Sequence, residues 1–112
     1  MVMQEPTFFI LTALAERPRH GYGVIQAVAD LSDGRIRLRA GTLYAALDRL
    51  ADGGLVTLDR EEAVGGRLRR YYRLTEHGAA ALAAEVSRLQ TNAAVAAARI
   101  RSYGSRTALG SA

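Results

Sequence analysis

Two glycine doublets, Gly53-Gly54 and Gly65-Gly66, divide the middle of this chain into a helix, a turn and a hairpin. Glycine reaches positive φ without steric cost, so a doublet behind a helical pattern ends the helix, and one between two alternating runs reverses a strand. Ahead of the first doublet, Leu43, Leu47 and Leu50 share one face, which predicts a helix from about Gly41 to Asp52. Beyond it "LVTLDR" predicts a strand, "EEAVGG" a turn, and "RLRRYYRL" a returning strand in which Leu68, Tyr72 and Leu74 tend to alternate with charge.

Upstream, Phe8 to Glu16 predicts a first helix, with Phe8, Leu11 and Ala15 on one stripe, Ile10 and Leu14 beside it, and Pro18 as the stop. Tyr22 to Leu31 predicts a second, facing inward with Val24, Ile25, Val28 and Leu31 and ending in the turn-prone "SDG". Arg35 to Arg39 alternates arginine with Ile36 and Leu38, the pattern of a short half-buried strand or an extended connection. After the hairpin Thr75 is the expected N-cap of a long helix reaching about Tyr103, with Gly78 where a capping box prefers Glu or Gln.

That last helix carries the most regular pattern in the chain. Leu82, Val86, Leu89, Ala93, Ala96, Ile100 and Tyr103 follow one another by steps of four and three, the 3.5-residue seam of two supercoiling helices. A helix packing on its own domain usually shows a wider apolar face, so the seam points to a homodimer. The tail "GSRTALGSA" has no periodicity and is expected to fray.

The 112 residues, 49% hydrophobic and 23% charged, suit one modest core. Cysteine is absent, and His20 and His77 lie far apart without neighbouring carboxylates, so no metal, no cofactor and no disulfide is expected. No apolar run approaches the ~20 residues of a bilayer span, and the first residues lack a basic leader; the expectation is a cytoplasmic protein. All 15 basic residues are arginine and the net charge is +4. Arginine's planar fork suits phosphate, although an alanine- and arginine-rich chain is also typical of a GC-rich genome.

Helix, helix, short strand, helix, hairpin is the order of a winged helix-turn-helix, a mainly α (α+β) fold whose third helix enters the DNA major groove while the hairpin forms the wing. Such domains also serve as protein-interaction modules, which stands as the alternative function. Four arginines between Arg67 and Arg73, beside the Gly65-Gly66 turn, favour DNA: a wing meets phosphates there. No nucleophile–base pair or phosphate-cradling loop suggests an enzyme.

The blocks "HGYG" (His20 to Gly23), "GTLYAALDRL" (Gly41 to Leu50), "GLV" (Gly54 to Val56) and "GGRLRRYYRLTEHG" (Gly65 to Gly78) resemble the signature of the PadR family of bacterial transcriptional regulators. The single C-terminal helix looks like the short branch of that family. The resemblance implies a winged helix DNA-binding domain over residues 1–76, a dimerisation helix over 77–104 and a flexible tail over 105–112. It also implies a dimeric repressor on a pseudo-palindromic double-stranded operator, relieved by a small aromatic effector. Three departures stand out: Ala45 and Leu68 replace usual prolines, and Arg39-Ala40 replaces a Ser-Pro helix start. Ala45 leaves the helix better formed, since an interior proline costs ~3 kcal/mol.

The expected DNA contacts are Tyr22, Arg39, Thr42, Tyr44, Arg49, Arg67, Arg69 and Arg70. Tyr44 lies a hundred degrees round from Leu43 and cannot share its face fully; in the family the matching tyrosine touches the DNA backbone, and Tyr22 resembles a second phosphate-contacting tyrosine. Each has partial burial as its alternative. Thr42 stands near the helix N-terminus, where recognition helices read bases, and Arg39 puts a cation where phosphate arrives. Arg49 has Asp48 or Asp52 as alternative partners, and Arg73 is expected to pair within the domain. Dimer contacts are expected from Phe8 and the seam, with an effector between the first helix and the partner's last helix, near Phe8, Phe9 and Tyr103.

Overall fold

The computed structural model describes residues 3–110, with side chains to residue 108. It is a mostly helical winged helix-turn-helix with a small antiparallel sheet and a long C-terminal helix. The elements are α1 (Glu5–Glu16), β1 (Arg19–His20), α2 (Gly21–Leu31), α3 (Ala40–Asp52), β2 (Val56–Val64), β3 (Arg67–Leu74) and α4 (Glu76–Gly110). Two compact units divide between Leu82 and Ala83.

In the first unit α1 carries Pro6 in its first turn, where the missing N–H is harmless, and stops at Arg17, held extended by the proline that follows it. Its buried residues are Ile10, Leu11, Ala13 and Leu14. The inward stripe is therefore rotated from the expected one: Ala15 is exposed and Phe8 half-buried, edge-on to Phe9 at 5.5 Å. α2 buries Gly21, Val24, Ala27 and Val28, whereas Leu31 is 45% exposed. It ends in a Schellman turn, Gly34 N–H bonding the Ala29 carbonyl at 2.7 Å and Asp33 N–H that of Asp30 at 3.2 Å, with Asp33 at φ 60°. Buried Ser32 anchors the next loop, its hydroxyl accepting from Ile36 N–H at 3.0 Å.

That loop is not a strand. Ile36 and Leu38 do pack against the core, so the alternation reports burial correctly, but residues 35–39 have no ladder partner. The third strand is instead Arg19–His20, pairing Arg19 with Tyr72 and His20 with Tyr71 in the sheet order β1-β3-β2. Arg19 secures this edge by donating Nε–H to the Ala13 carbonyl at 2.9 Å and pairing with Glu16.

α3 buries Leu43, Ala46, Leu47 and Leu50. Its Schellman end uses Leu55 N–H on the Leu50 carbonyl (2.9 Å) and Gly54 N–H on that of Ala51 (3.0 Å). Only Gly54, at φ 76°, needs the left-handed region; Gly53 stays right-handed at φ −80°. The hairpin is longer than expected, because β2 continues through Glu61–Val64 and Gly65-Gly66 alone make the turn. Their φ values of 57° and 79° fit a two-residue type I′ reversal. Pairing shifts between Leu58 and Arg60, a bulge at Asp59 that bends the wing.

Thr75 caps α4 as expected: its hydroxyl accepts from Gly78 N–H at 2.9 Å and donates to the Gly54 carbonyl at 2.6 Å. Gly78 cannot be the Glu of a capping box, because any Cβ there would collide with the Leu55 carbonyl. These bonds pin the start of α4 to the α3–β2 turn. The core gathers Ile10, Leu11, Leu14, Val24, Val28, Leu43, Leu47, Leu50 and Val56, with Tyr72, Leu74 and Leu82 packed against it. Leu82, the first residue of the seam, thus belongs to the core of its own domain.

The second unit is the rest of α4. Its helix runs past Tyr103 to Gly110, so residues 105–110 of the expected tail are helical; 111 and 112 lie outside the described residues. Along it Val86 (37%), Leu89 (42%), Ile100 (69%) and Tyr103 (64%) are exposed, as are Ala93 and Ala96. Arg88 donates Nε–H to Glu85 at 2.8 Å one turn away.

Candidate nucleic-acid interface

The start of α2, the first half of α3 and the tip of the hairpin enclose an open cleft of about 420 Å³, lined by His20, Gly21, Tyr22, Tyr44, Val64 and Arg67 to Arg70. Tyr44 rises from α3 with its ring over α2, so that a Cβ on Gly21 would collide with its hydroxyl. Gly21 therefore does more than allow a turn: it clears the ground on which Tyr44 sits. Tyr44 remains 46% exposed and Tyr22 64% exposed. Large, accessible phenols beside several guanidinium groups suit a sugar–phosphate chain, whose oxygens accept from both.

The residues expected to contact DNA fall into two groups. Tyr22, Tyr44, Arg67, Arg69 and Arg70 come together in the cleft. Arg39, Thr42 and Arg49 do not line it: Arg39 is the N-cap of α3, without a side-chain capping bond, and Thr42 and Arg49 lie on the exposed side of the helix. Thr42, Ala45 and Arg49, spaced three and four apart, form one outward stripe. Among the described residues Arg49 makes no ion pair with Asp48 or Asp52.

In the hairpin, strand alternation puts Leu68 and Arg70 on the face that continues into half-buried Tyr72. Arg67, Arg69 and Tyr71 lie on the other face. The stretch Arg67 to Arg73 contains no acid, but the register sets Glu61 opposite Arg70 and Glu62 opposite Arg69. The short turn makes this readable in retrospect, since two-residue reversals fix pairing by counting outward from the glycines. Glu62 is engaged by Arg60, whose Nε–H lies 2.7 Å from its carboxylate, and this hydrogen bond holds the Glu62 carboxyl below its ordinary range. Arg60 also pairs with Asp59 at 2.7 Å and lies 4.0 Å over the Tyr71 ring. Arg73 meets Asp59 at 3.7 Å, the internal pairing expected for it.

His20 lies at the edge of the cleft. It precedes α2 without a side-chain capping bond and packs edge-on to Tyr71 at 5.3 Å between ring centroids. Burial first, and the field of Arg69 second, push its imidazole below the ordinary histidine range, so the neutral ring is favoured. A second cleft of about 570 Å³ shares His20 and is lined also by Tyr71, but Glu16 and Asp30 line it along with Arg17 and Arg19, a mixed surface without preference for a polyanion. Among the described residues no group of histidine and carboxylate side chains could hold a metal ion, and no helix is long and apolar enough to cross a membrane.

Residues 10–84 match the family model described as transcriptional regulator PadR-like family. The chain is 46% identical over 74 residues to transcriptional regulator Rv3488 of Mycobacterium tuberculosis, covering 65% of this chain and 64% of that one. To transcriptional regulator YqjI of Escherichia coli it is 37% identical over 70 residues, 62% of this chain and 32% of that protein, about a third of its length. A PadR family transcription regulator of Clostridium difficile R20291 has a TM-score of 0.72 at 21% identity, covering 87% of this chain and 99% of the other. Bacillus subtilis PadR, solved in complex with operator DNA, has a TM-score of 0.66 at 21% identity, covering 74% of this chain and 47% of that one. At such identities the two structures establish likeness of fold.

Proposed function

This chain belongs to the PadR-like family of transcriptional regulators, which are not enzymes, and we propose that it is a dimeric, sequence-specific DNA-binding repressor of the cytoplasm. The cleft carries this reading, because it gathers Tyr22, Tyr44, Arg67, Arg69 and Arg70 into one phosphate-sized site between α3 and the wing. One DNA strand passes through the cleft; its phosphates take hydrogen bonds from the two phenols and the wing guanidiniums. α3 then lies in the major groove with Thr42, Ala45 and Arg49 toward the base edges and Arg39 toward the flanking phosphate. Ala45 offers a methyl group, the kind of contact that suits a thymine methyl.

A second copy joins through the α4 seam of Val86, Leu89, Ala93, Ala96, Ile100 and Tyr103, with Phe8 and Leu82 at its domain end. The exposure of Val86, Leu89, Ala93, Ala96, Ile100 and Tyr103 along α4 supports that reading. Two α3 helices then meet half-sites of a pseudo-palindrome about 34 Å apart. A small aromatic effector would bind between the protomers near Phe8, Phe9 and Tyr103, and would act by changing the separation of the two helices. Fluorescence anisotropy with selected genomic duplexes tests the reading. Binding that steepens as salt falls supports it, while retention insensitive to salt would point to a protein-interaction module.

A further inference from the structure

Two wing arginines face acids across the hairpin, yet the two pairs differ. Glu61 and Arg70 stand opposite, and among the described residues neither makes an ion pair. Glu62 and Arg69 also stand opposite, on the face that carries Arg60 and Tyr71, and there the Glu62 carboxylate is taken by Arg60 Nε–H at 2.7 Å. Arg60 is itself fixed from three sides: by Glu62, by Asp59 at 2.7 Å, and by the Tyr71 ring 4.0 Å beneath its guanidinium. Among the described residues Arg69 makes no ion pair. Directly opposed charges on one sheet face attract, so a Glu62 released from Arg60 would turn to Arg69.

We propose that Arg60 is a positioning residue of the DNA interface: by holding the Glu62 carboxylate, it leaves the Arg69 guanidinium unpaired and open to a phosphate. The proposal rests on the DNA-binding reading above, and it assigns Arg60 no contact with DNA.

A double-mutant cycle separates this from a direct or a merely structural role. Arg60→Ala should weaken duplex binding about tenfold and lower the slope of log K against log salt by ~0.9, one phosphate contact. Glu62→Gln alone should change affinity by less than about twofold, yet in the Arg60→Ala background it should restore both affinity and slope. Arg60→Met, which keeps a long side chain over Tyr71, should behave as Arg60→Ala, guarding against a wing that fails to fold. The proposal is overturned if Glu62→Gln raises affinity equally in both backgrounds, or if the double variant stays one phosphate short. A DNA-free arm distinguishes its failure from that of the DNA-binding reading. In an Arg60→Ala, Tyr71→Phe background, which removes both hydrogen bonds that hold it low, the Glu62 carboxyl followed by NMR titration should stay below its ordinary range and return to it only when Arg69→Ala is added. A return in that background with Arg69 still in place would overturn the clamp whatever the protein binds.

Discussion

Gly21 and Gly78 are required by what approaches them. Beside Gly21 stands the end of a tyrosine side chain, which can swing aside; beside Gly78 stands the Leu55 backbone, which cannot. Gly21→Ala should therefore cost little stability but displace Tyr44 and lower duplex affinity by about tenfold, a loss of ~1.4 kcal/mol measurable by anisotropy. Gly78→Ala should cost about 2 kcal/mol or more of folding stability in urea denaturation, because the N-terminus of α4 must leave the α3–β2 turn. Equal effects of the two substitutions on stability would contradict this division. His20 gives a pH signature: with its folded pKa below the ordinary 6.5, the unfolded chain takes up the proton first. Stability is then at its full value above that pH and falls as pH drops from 6.5 toward the folded value. Thermal melts should show the fall as pH drops below 6.5 in the wild type and a shallower one in His20→Gln. A separate loss below pH 4.5 belongs to Glu5, Glu62 and Glu85, whose carboxyls are held low by hydrogen bonds from Arg35, Arg60 and Arg88.

At the scale of elements, what the sequence made legible was whatever repeats locally. Leu43, Leu47 and Leu50 marked α3, Thr75 marked the start of α4, and the second glycine doublet marked the wing. β1 escaped because two residues cannot alternate; Arg19–His20 is a strand only because β3 offers an edge. Arg35 to Arg39 is the extended connection that its pattern also allowed, alternating with burial but without a strand partner. The lining of the cleft was half legible: its tyrosines and arginines stand out in the sequence, while the close approach of Tyr44 to Gly21 and the pairing of Arg60 with Glu62 depend on contacts between separate residues of the fold. The register also yields a test at Leu68. With Val64 and Arg67 bonded across the turn, Leu68 occupies a non-hydrogen-bonded position opposite Ala63, whereas Arg69 occupies a bonded one opposite Glu62. Leu68→Pro should thus preserve the wing within about 1 kcal/mol, while Arg69→Pro removes a ladder bond and should cost about 3 kcal/mol. Hydrogen exchange of the hairpin amides distinguishes the two, and equal loss of protection would refute the register.

For the molecule as a whole, the compact N-terminal unit contains the cleft, and α4 continues from it as a helix whose apolar residues lie open. On the proposed reading, Leu89→Asp places a charge in mid-seam and should shift the protein to a monomer in sedimentation equilibrium. The cleft would stay intact, so half-site affinity should survive while affinity for the full palindrome falls by at least a hundredfold, in line with the 10² to 10⁴ gain from linking two sites. The most direct test of the central claim is the salt dependence of duplex binding by the wild type and by Arg69→Ala. A DNA interface built on this cleft predicts a linear fall of log K with log salt, and a slope smaller by ~0.9 in the variant at every duplex sequence tried. An identical slope for the two proteins, or wild-type binding that ignores salt, would contradict it.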